Sequence, residues 1–414
     1  MLDEDAQKVA QDENTMGLRR PAGPGILEDV VIADFSRVLA GPLATMILAD
    51  LGATVIKVEG PAGDDSRAWR PPAYRDEASY FQAVNRNKNS IVLDLADPAD
   101  LHTAKRIAAR ADVFIHNFKP GSIDRFGLDY ESVRTLVGDS LVYAHITGFG
   151  TEPGPDGGAG LPGYDVLVQG MSGFMSMCGE ADGDPTRSGV SIFDITTGMM
   201  TANGILAALR HRDRTGQGQK IDINLLSSAV FSMINQYQAV ATTDFLPTRQ
   251  GREHATIYPY HALPTADGEL IVVAANNGQF SRLCDVLGIP DTAHDPRFDT
   301  AEKRNLNRRE LEPVLVAALA EDTTAGWFAR LRQVGIPCSP VQDVAGGLAS
   351  VRGLGLDPVQ LPEAAPTGVP TIAGPLRFSA TPTFYFKEPP ALGADGAAVL
   401  DWLGSDPGPD KETQ

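Results

Sequence analysis

Cysteine is scarce. Cys178, Cys284 and Cys338 lie far apart, with no CxxC and no Cys/His spacing of the zinc-binding kind. A disulfide framework is excluded, a metal site is not expected, and a reducing cytoplasm is the natural compartment. Long apolar runs are missing too. None approaches the ~20 residues a membrane-spanning helix needs. The opening stretch MLDEDAQKVAQDENTMGLRRPAGPG has no apolar segment of the signal-peptide type and is expected to be a disordered extension over 1–24. Positive charge is outnumbered, 35 Lys and Arg against 53 Asp and Glu, for a net charge of −18. That argues against nucleic acid or an anionic membrane as a partner. No GxxxxGK[ST] occurs, so there is no P-loop, and GxSxG, HxH and HExxH are likewise absent. GAGLPG (158–163) spells GxGxxG, but Pro162 sits inside it and no strand directly precedes it, which leaves a dinucleotide site unsupported.

What is present is a 414-residue chain that is 43% hydrophobic, enough for two domains. From Asp29 it alternates strand and helix signals. DVVIADFS, TVIKVEG, SIVLDL, DVFIHNF and LVYAHIT read as strands; LATMILADLG, ADLHTAKRIAARA and DYESVRTLVG read as helices between them. Pro42 suits the first helical position and Gly52 a helix stop. Such alternation predicts an α/β fold with a mostly parallel sheet, whose ligands bind beyond the carboxyl ends of the strands. The segments after those ends are VLAGP, NFKPG and TGFG. Downstream, SSAVFSMINQYQAVATT reads as one helix, YPYHALPTADGELIVVAA as a hairpin turning at Asp267-Gly268, and NNGQFSRLCDVLG, EKRNLNRRELEPVLVAALAED and TAGWFARLRQVG as helices. GIPCSPV and TIAGPLRFS read as strands. The expected layout is a large domain over 25–225, a linker helix over 226–244, a small α+β domain over 245–335, and a return to the large domain over 336–414, ending in a frayed DPGPDKETQ.

Charge is uneven. Lys57 to Arg125 holds 11 basic and 10 acidic residues, so the remainder carries −19. NRNKNSIVLDL places Arg86 and Lys88 before a buried strand, either as a solvated turn or as phosphate contacts. HNFKPGSIDRFG offers the amide of Asn117, the ring of Phe118 and the charges of Lys119 and Arg125, a set suited to an adenine and phosphates. His145 lies inside a strand pattern and reads as a packed core residue. The stretch CGEADGDPTRSG (178–189) is polar and glycine-rich, and Asp182 within it is either an Asp-Gly turn residue or a reactive carboxylate.

Taken together, VLAGPLATMILADLGATVIKVEGPAGDDSR, NRNKNSIVLDL, HNFKPGSIDRFGLDY and the run from TGFGTEPGP through GEADGDPTRSGVSIFDITTG resemble the class III CoA-transferases of the CaiB/BaiF type, from about residue 27 to about 405. The resemblance implies a Rossmann-like large domain formed from both chain ends, a small α+β domain between them, and an interlocked homodimer. It implies coenzyme A thioesters as substrates, with no tightly bound cofactor and a carboxylic acid as acceptor. Carried over by position, the CoA contacts are Val38, Leu39, Ala40, Leu93, Asn117, Phe118, Lys119, Arg125 and Gly148. Asp182 becomes the nucleophile, forming first an anhydride and then an aspartyl-CoA thioester. Glu180 and Asp184 are set aside as gating or solvated carboxylates.

Two other readings stand beside this one. α-Methylacyl-CoA racemases of the same family need a His/Asp pair; Asp194 occupies the aspartate position, but Tyr164 stands where the histidine would be. A non-catalytic acyl-CoA-binding protein would keep the CoA contacts and have no use for the GEADG loop. Gly60 and Thr147 replace basic residues of the formyl-CoA:oxalate pattern, which leaves the acid substrate open.

Overall fold

The computed structural model describes residues 18, 25–254 and 256–404. The expected N-terminal extension, Leu18 apart, and the DPGPDKETQ tail lie outside them. The described chain forms two compact units. One contains the residues up to Phe174, Ser188–Ala241, and those from Asp357; the other contains Met175–Arg187 and Thr242–Leu356.

The first unit is built on a six-stranded parallel sheet: β1 Val31–Phe35, β2 Thr54–Glu59, β3 Lys88–Val92, β4 Val113–His116, β5 Val142–Thr147 and β6 Lys220–Asn224. Their order is β3-β2-β1-β4-β5-β6, so the winding reverses between β1 and β4. Such a reversal opens a crevice beyond the carboxyl ends of the two strands, where doubly wound sheets bind ligands. β2 is buried throughout, as expected of a strand covered on both faces. On one face Ala33, Phe35, Ile56, Phe114 and Tyr143 pack against α2 Pro98–Arg110, α3 Tyr130–Val137 and the late helix Gly396–Gly404.

The helices start where local chemistry starts them. The Asp97 carboxylate accepts the Ala99 and Asp100 N–H groups at 2.8 and 3.1 Å, with Pro98 at the first helical position. Asp129 caps α3 by accepting from the Ser132 N–H at 3.1 Å. α1, Ala40–Asp50, begins two residues before Pro42, and no side chain caps it. α4 is Asp165–Met171, and α5, Ile192–Thr215, runs 24 residues. By length and composition α5 resembles a membrane span, an exception to the expectation that no such segment exists. It is nevertheless a core helix of this unit. Phe193, Ala202, Ile205 and Leu209 are buried, and it packs along α1 and β5.

The second unit carries a three-stranded antiparallel sheet, β7 Tyr260–Pro264, β8 Glu269–Val273 and β9 Cys338–Pro340, in the order β9-β8-β7. The hairpin turns at Asp267-Gly268, closed by Thr265 N–H to the Gly268 carbonyl at 2.9 Å. The Asp267 carboxylate anchors the turn by accepting from both the N–H and the hydroxyl of Thr324. Leu263, Leu270, Phe280, Leu283, Leu315 and Trp327 form part of its own core.

Several expectations need correction. Cys338–Pro340 pairs with β8 rather than starting a return to the large sheet. TIAGPLRFS supplies only Thr371–Ile372, paired with Val359–Gln360. Arg86 takes the Thr371 hydroxyl and the Ile372 carbonyl there, and Pro375 has no N–H to extend a ladder. The long helix expected over 302–322 breaks into Ala301–Leu306 and Arg308–Leu319 at Asn307, whose side chain donates to the Arg297 carbonyl at 2.9 Å. SSAVFSMINQYQAVATT likewise divides, into Leu225–Ser232 and Ile234–Thr242.

Candidate active site

In the first unit the strand-end loops are held by buried charge. Lys57, on β2, has a fully buried ammonium that donates to the Ser36 carbonyl at 3.0 Å and to Asp64 at 2.9 Å. Asp64 in turn accepts the Val38 N–H on both oxygens, at 3.1 and 3.2 Å, and the Ser66 N–H at 3.0 Å. Burial alone would raise the Asp64 pKa, but the Lys57 charge and the Ser66 bonds more than offset it, leaving it at about 2. Val38 sits at φ +72°, in the left-handed region a β-branched residue avoids. Its amide bond to Asp64 holds it there. The strained residue turns the chain directly into α1, so the Leu39–Ala40 amides stand at an uncapped helix start.

The neighbouring loop after β4 is fastened to the first. The Asn117 side chain accepts from the Arg37 N–H at 3.0 Å and donates to the Arg37 carbonyl at 2.8 Å. Two strand ends on either side of the winding reversal are thereby latched through one carboxamide. Phe118 is half-buried; Lys119 and Arg125 are exposed, the latter stacked over Phe126 at 4.5 Å. Val38, Leu39, Ala40, Asn117, Phe118, Lys119 and Arg125 thus all lie at or just beyond the β1 and β4 ends.

Two expected residues behave differently. Leu93 is buried in the sheet core, and its N–H donates to the Glu59 carbonyl at 2.8 Å, so neither its side chain nor its amide is free for a ligand. Gly148 has its open side filled by Gly163: a Cβ there would stand 2.4 Å from the Gly163 Cα. Its glycine answers a close backbone crossing.

Arg86 and Lys88 are neither solvated nor poised for phosphate. Arg86 makes a bidentate pair with Asp50 at 2.9 and 2.6 Å. The Lys88 ammonium is wholly buried against Asp34, the Pro42 carbonyl and Asn85.

Asp165 anchors the start of α5. One of its oxygens accepts the Phe193 and Asp194 N–H groups at 2.8 and 3.2 Å, and the other accepts from Gln169. Asp194 is largely buried; burial and then the Asp165 charge raise its pKa to about 7. The Tyr164 side chain is exposed.

Asp182 lies in the second unit. Its loop is shaped by backbone bonds: Gly183 N–H to the Glu180 carbonyl at 3.0 Å, Thr186 N–H to Cys178 at 3.1 Å, and Gly251 N–H to Gly179 at 3.2 Å. Gly179 adopts φ +114°, and a Cβ there would meet the Asp184 carbonyl at 2.8 Å. Arg249 donates from Nε to the Glu180 carbonyl at 3.3 Å, fastening the loop from its other side. The Asp182 side chain is exposed, and among the described residues no hydrogen bond or ion pair engages its carboxylate. A carboxylate so placed keeps its lone pairs available for attack.

Sequence reasoning missed Lys57, Asp64 and Arg249. The strand TVIKVEG did carry a signal, a single lysine in an otherwise apolar run, which in a buried strand requires a partner.

A family model, CoA-transferase family III, matches residues 27–396. The chain is 40% identical over 376 residues to the succinyl-CoA:glutarate CoA-transferase of Mus musculus, covering 90% of this chain and 85% of that one. It is also 40% identical to the succinate–glutarate CoA-transferase of Agrobacterium fabrum, over 90% and 94% of the two chains. Its fold matches the crystal structure of a CaiB/BaiF family protein from Brucella suis with a TM-score of 0.85 at 37% identity, over 92% of this chain and all of that one. A parallel α/β sheet with latched strand-end loops, in this company, defines an enzyme that transfers coenzyme A. More narrowly, the chain belongs to CoA-transferase family III.

Proposed function

We propose that this enzyme moves coenzyme A from an acyl-CoA to a carboxylic acid through covalent intermediates on Asp182. The observation that carries the reading is the exposed, unengaged Asp182 carboxylate on a loop whose shape is fixed by backbone bonds. A carboxylate oxygen attacks the thioester carbonyl carbon, the C–S bond breaks, and CoA leaves as thiolate. The resulting anhydride conserves the acyl-bond energy. The thiolate attacks the aspartyl carbonyl, expelling the first acid and leaving an aspartyl-CoA thioester. The second acid attacks that thioester, and the thiolate then takes its acyl group from the new anhydride, restoring Asp182. Oxyanions form at each addition, and within the Asp182 loop the Gly179 backbone amide is the assigned donor. Removing one such donor typically costs about 2.7–4 kcal/mol of barrier.

Acyl-CoA binding is assigned to the loops after β1 and β4, with the Val38 side chain, the amides of Leu39 and Ala40, the amide side chain of Asn117, the ring of Phe118 and the charges of Lys119 and Arg125. Arg125→Ala should raise the CoA dissociation constant about 3- to 10-fold, the scale of one exposed charged contact. An unchanged constant by calorimetric titration removes Arg125 from the site. The relatives' substrates make dicarboxylic acids the first candidates. Incubation with succinyl-CoA and 13C-labelled glutarate should yield labelled glutaryl-CoA; release of free CoA alone, or exchange of only an α-proton with deuterated water, would replace this reading with hydrolysis or racemisation. Tyr164 in place of a histidine disfavours the racemase, since a phenol lacks the basic lone pair with which an imidazole takes up a proton.

A homodimer of interlocked chains is part of the same reading, as is a cytoplasmic location. In the first unit Tyr164, Val166, Met171, Phe231 and Ile234 remain substantially exposed, a density of large apolar side chains that a lone chain leaves in water. Light scattering should give twice the chain mass of 44.0 kDa across dilution; a stable monomer refutes the interlocked arrangement.

A further inference from the structure

We propose that His116 and His145 act together as positioning residues for the acyl-CoA-binding loop 117–121, holding both backbone polar groups of Phe118 between two stacked neutral imidazoles. The proposal rests on the reading that acyl-CoA binds at that loop. The rings lie 4.3 Å apart at an interplanar angle of 17°. The Phe118 N–H donates to His116 Nδ1 at 3.3 Å, and His145 Nε2 lies 3.1 Å from the Phe118 carbonyl.

The tautomers follow from the partners. The Tyr143 hydroxyl gives its hydrogen to the Leu128 carbonyl at 2.9 Å, so toward His116 Nε2, also at 2.9 Å, it must accept. His116 therefore carries its hydrogen on Nε2 and leaves Nδ1 bare for the Phe118 N–H. A carbonyl only accepts, so His145 carries its hydrogen on Nε2. One neutral tautomer at each ring satisfies both Phe118 contacts and the Tyr143 contact. A proton added at His116 Nδ1 would set two N–H groups against each other and release Phe118. One added at His145 Nδ1 would face Asp222, 3.5 Å away, and leave the Phe118 bond intact. The sensitivity thus resides in His116.

The surroundings keep it neutral. His116 is buried, and burial, the neighbouring His145 and Lys220 hold its pKa well below the ordinary 6.5. Burial lowers that of His145 as well, against the pull of the Phe118 bond and Asp222. Asp222 faces His145 from β6, and Lys220 on β6, Tyr143 on β5, Asp124, Asp129 and Glu131 line, together with both rings, a cavity of about 520 Å3. That cavity also opens onto Pro120 and Gly121, the end of the same loop. The clamp therefore holds the loop at Phe118, while Asn117 latches its beginning to Arg37.

A loop that binds CoA equally in ground and transition states moves the KM of the donor alone. His116→Phe keeps a stacking ring and removes the acceptor. It should raise the acyl-CoA KM about tenfold, the scale of one buried hydrogen bond, and leave kcat and the acceptor-acid KM within about twofold. His116→Asn returns an acceptor near the Nδ1 position and should restore most of the affinity. Since the folded pKa is depressed, the clamp holds above 6.5 and opens only as pH falls through the lower folded value. Wild-type affinity for 3′-dephospho-CoA, which lacks the phosphate monoester that itself titrates near ~6, should therefore be flat through pH 6.5 in titration calorimetry, a measurement that needs no variant to fold. Equal losses in donor and acceptor KM, failure of His116→Asn to recover, or a wild-type transition centred at 6.5 would each overturn the clamp. Absence of any CoA binding by the wild type at pH 7.5 would instead overturn the assignment of the loop.

Discussion

Asp182→Ala should abolish transfer between acyl-CoA and carboxylate while leaving CoA affinity within about twofold of the parent. Loss of a covalent nucleophile removes a whole reaction path, and losses of roughly 10³-fold or more in turnover are the scale for such a deletion. The loop itself should survive. Its shape comes from backbone bonds at Gly179, Gly183 and Thr186 and from Arg249, none of which uses the Asp182 side chain. Asp182→Asn is the sharper companion, because it retains volume and polarity but not the anionic oxygen. Turnover within tenfold of the parent in both variants, by chromatographic assay of the product thioester, would move the chemistry to another residue.

Lys57→Met should lower the unfolding free energy by about 3–5 kcal/mol, the scale for removing one partner of a buried ion pair. The Lys57 and Asp64 side chains are both fully buried, so the carboxylate left behind has no solvent to replace the ammonium. The same change should weaken acyl-CoA binding, since Asp64 is what holds Val38 at positive φ. The acid dependence has a defined sign. The Asp64 pKa is depressed in the folded state, so its contribution is complete above the ordinary value of 3.8 and is lost as pH falls toward about 2. Guanidinium unfolding at pH 7 checks the first effect; a change below about 1 kcal/mol would mean that the pair does not anchor the loop.

The strand and helix alternation from β1 to β5 could be read from the chain because each of these strands is a short, largely apolar run and two of the intervening helices carry start signals, at Asp97-Pro98 and Asp129; β6, Lys220–Asn224, is polar at alternate positions and was not read. Strand order was not legible, since it depends on which crossovers pack on which face. The loops NFKPG and VLAGP could be located from their glycines and prolines. What could not be read was the fate of charged groups whose partners are distant in sequence. Arg86 meets Asp50 from 36 positions away and Lys88 meets Asp34 from 54, so two buried anchors looked like a basic turn before a strand. Leu93 shows the complementary error: a residue beside the expected ligand path continues the sheet core instead. Gly148 was legible as a site of close approach, but what approaches is Gly163. The His116–His145 clamp left no trace in sequence spacing, because its rings come from neighbouring strands and become adjacent only through the pairing of β4 with β5.

The most direct test of the covalent route is to trap it. The wild-type enzyme is incubated with succinyl-CoA, quenched with hydroxylamine, digested, and the peptide spanning 178–189 is weighed and sequenced by mass spectrometry. A hydroxamate on Asp182, dependent on the thioester and missing from Asp182→Asn, is the predicted result. An unmodified Asp182 beside a hydroxamate at Glu180, Asp184 or Asp194, or no modification during active turnover, would contradict it.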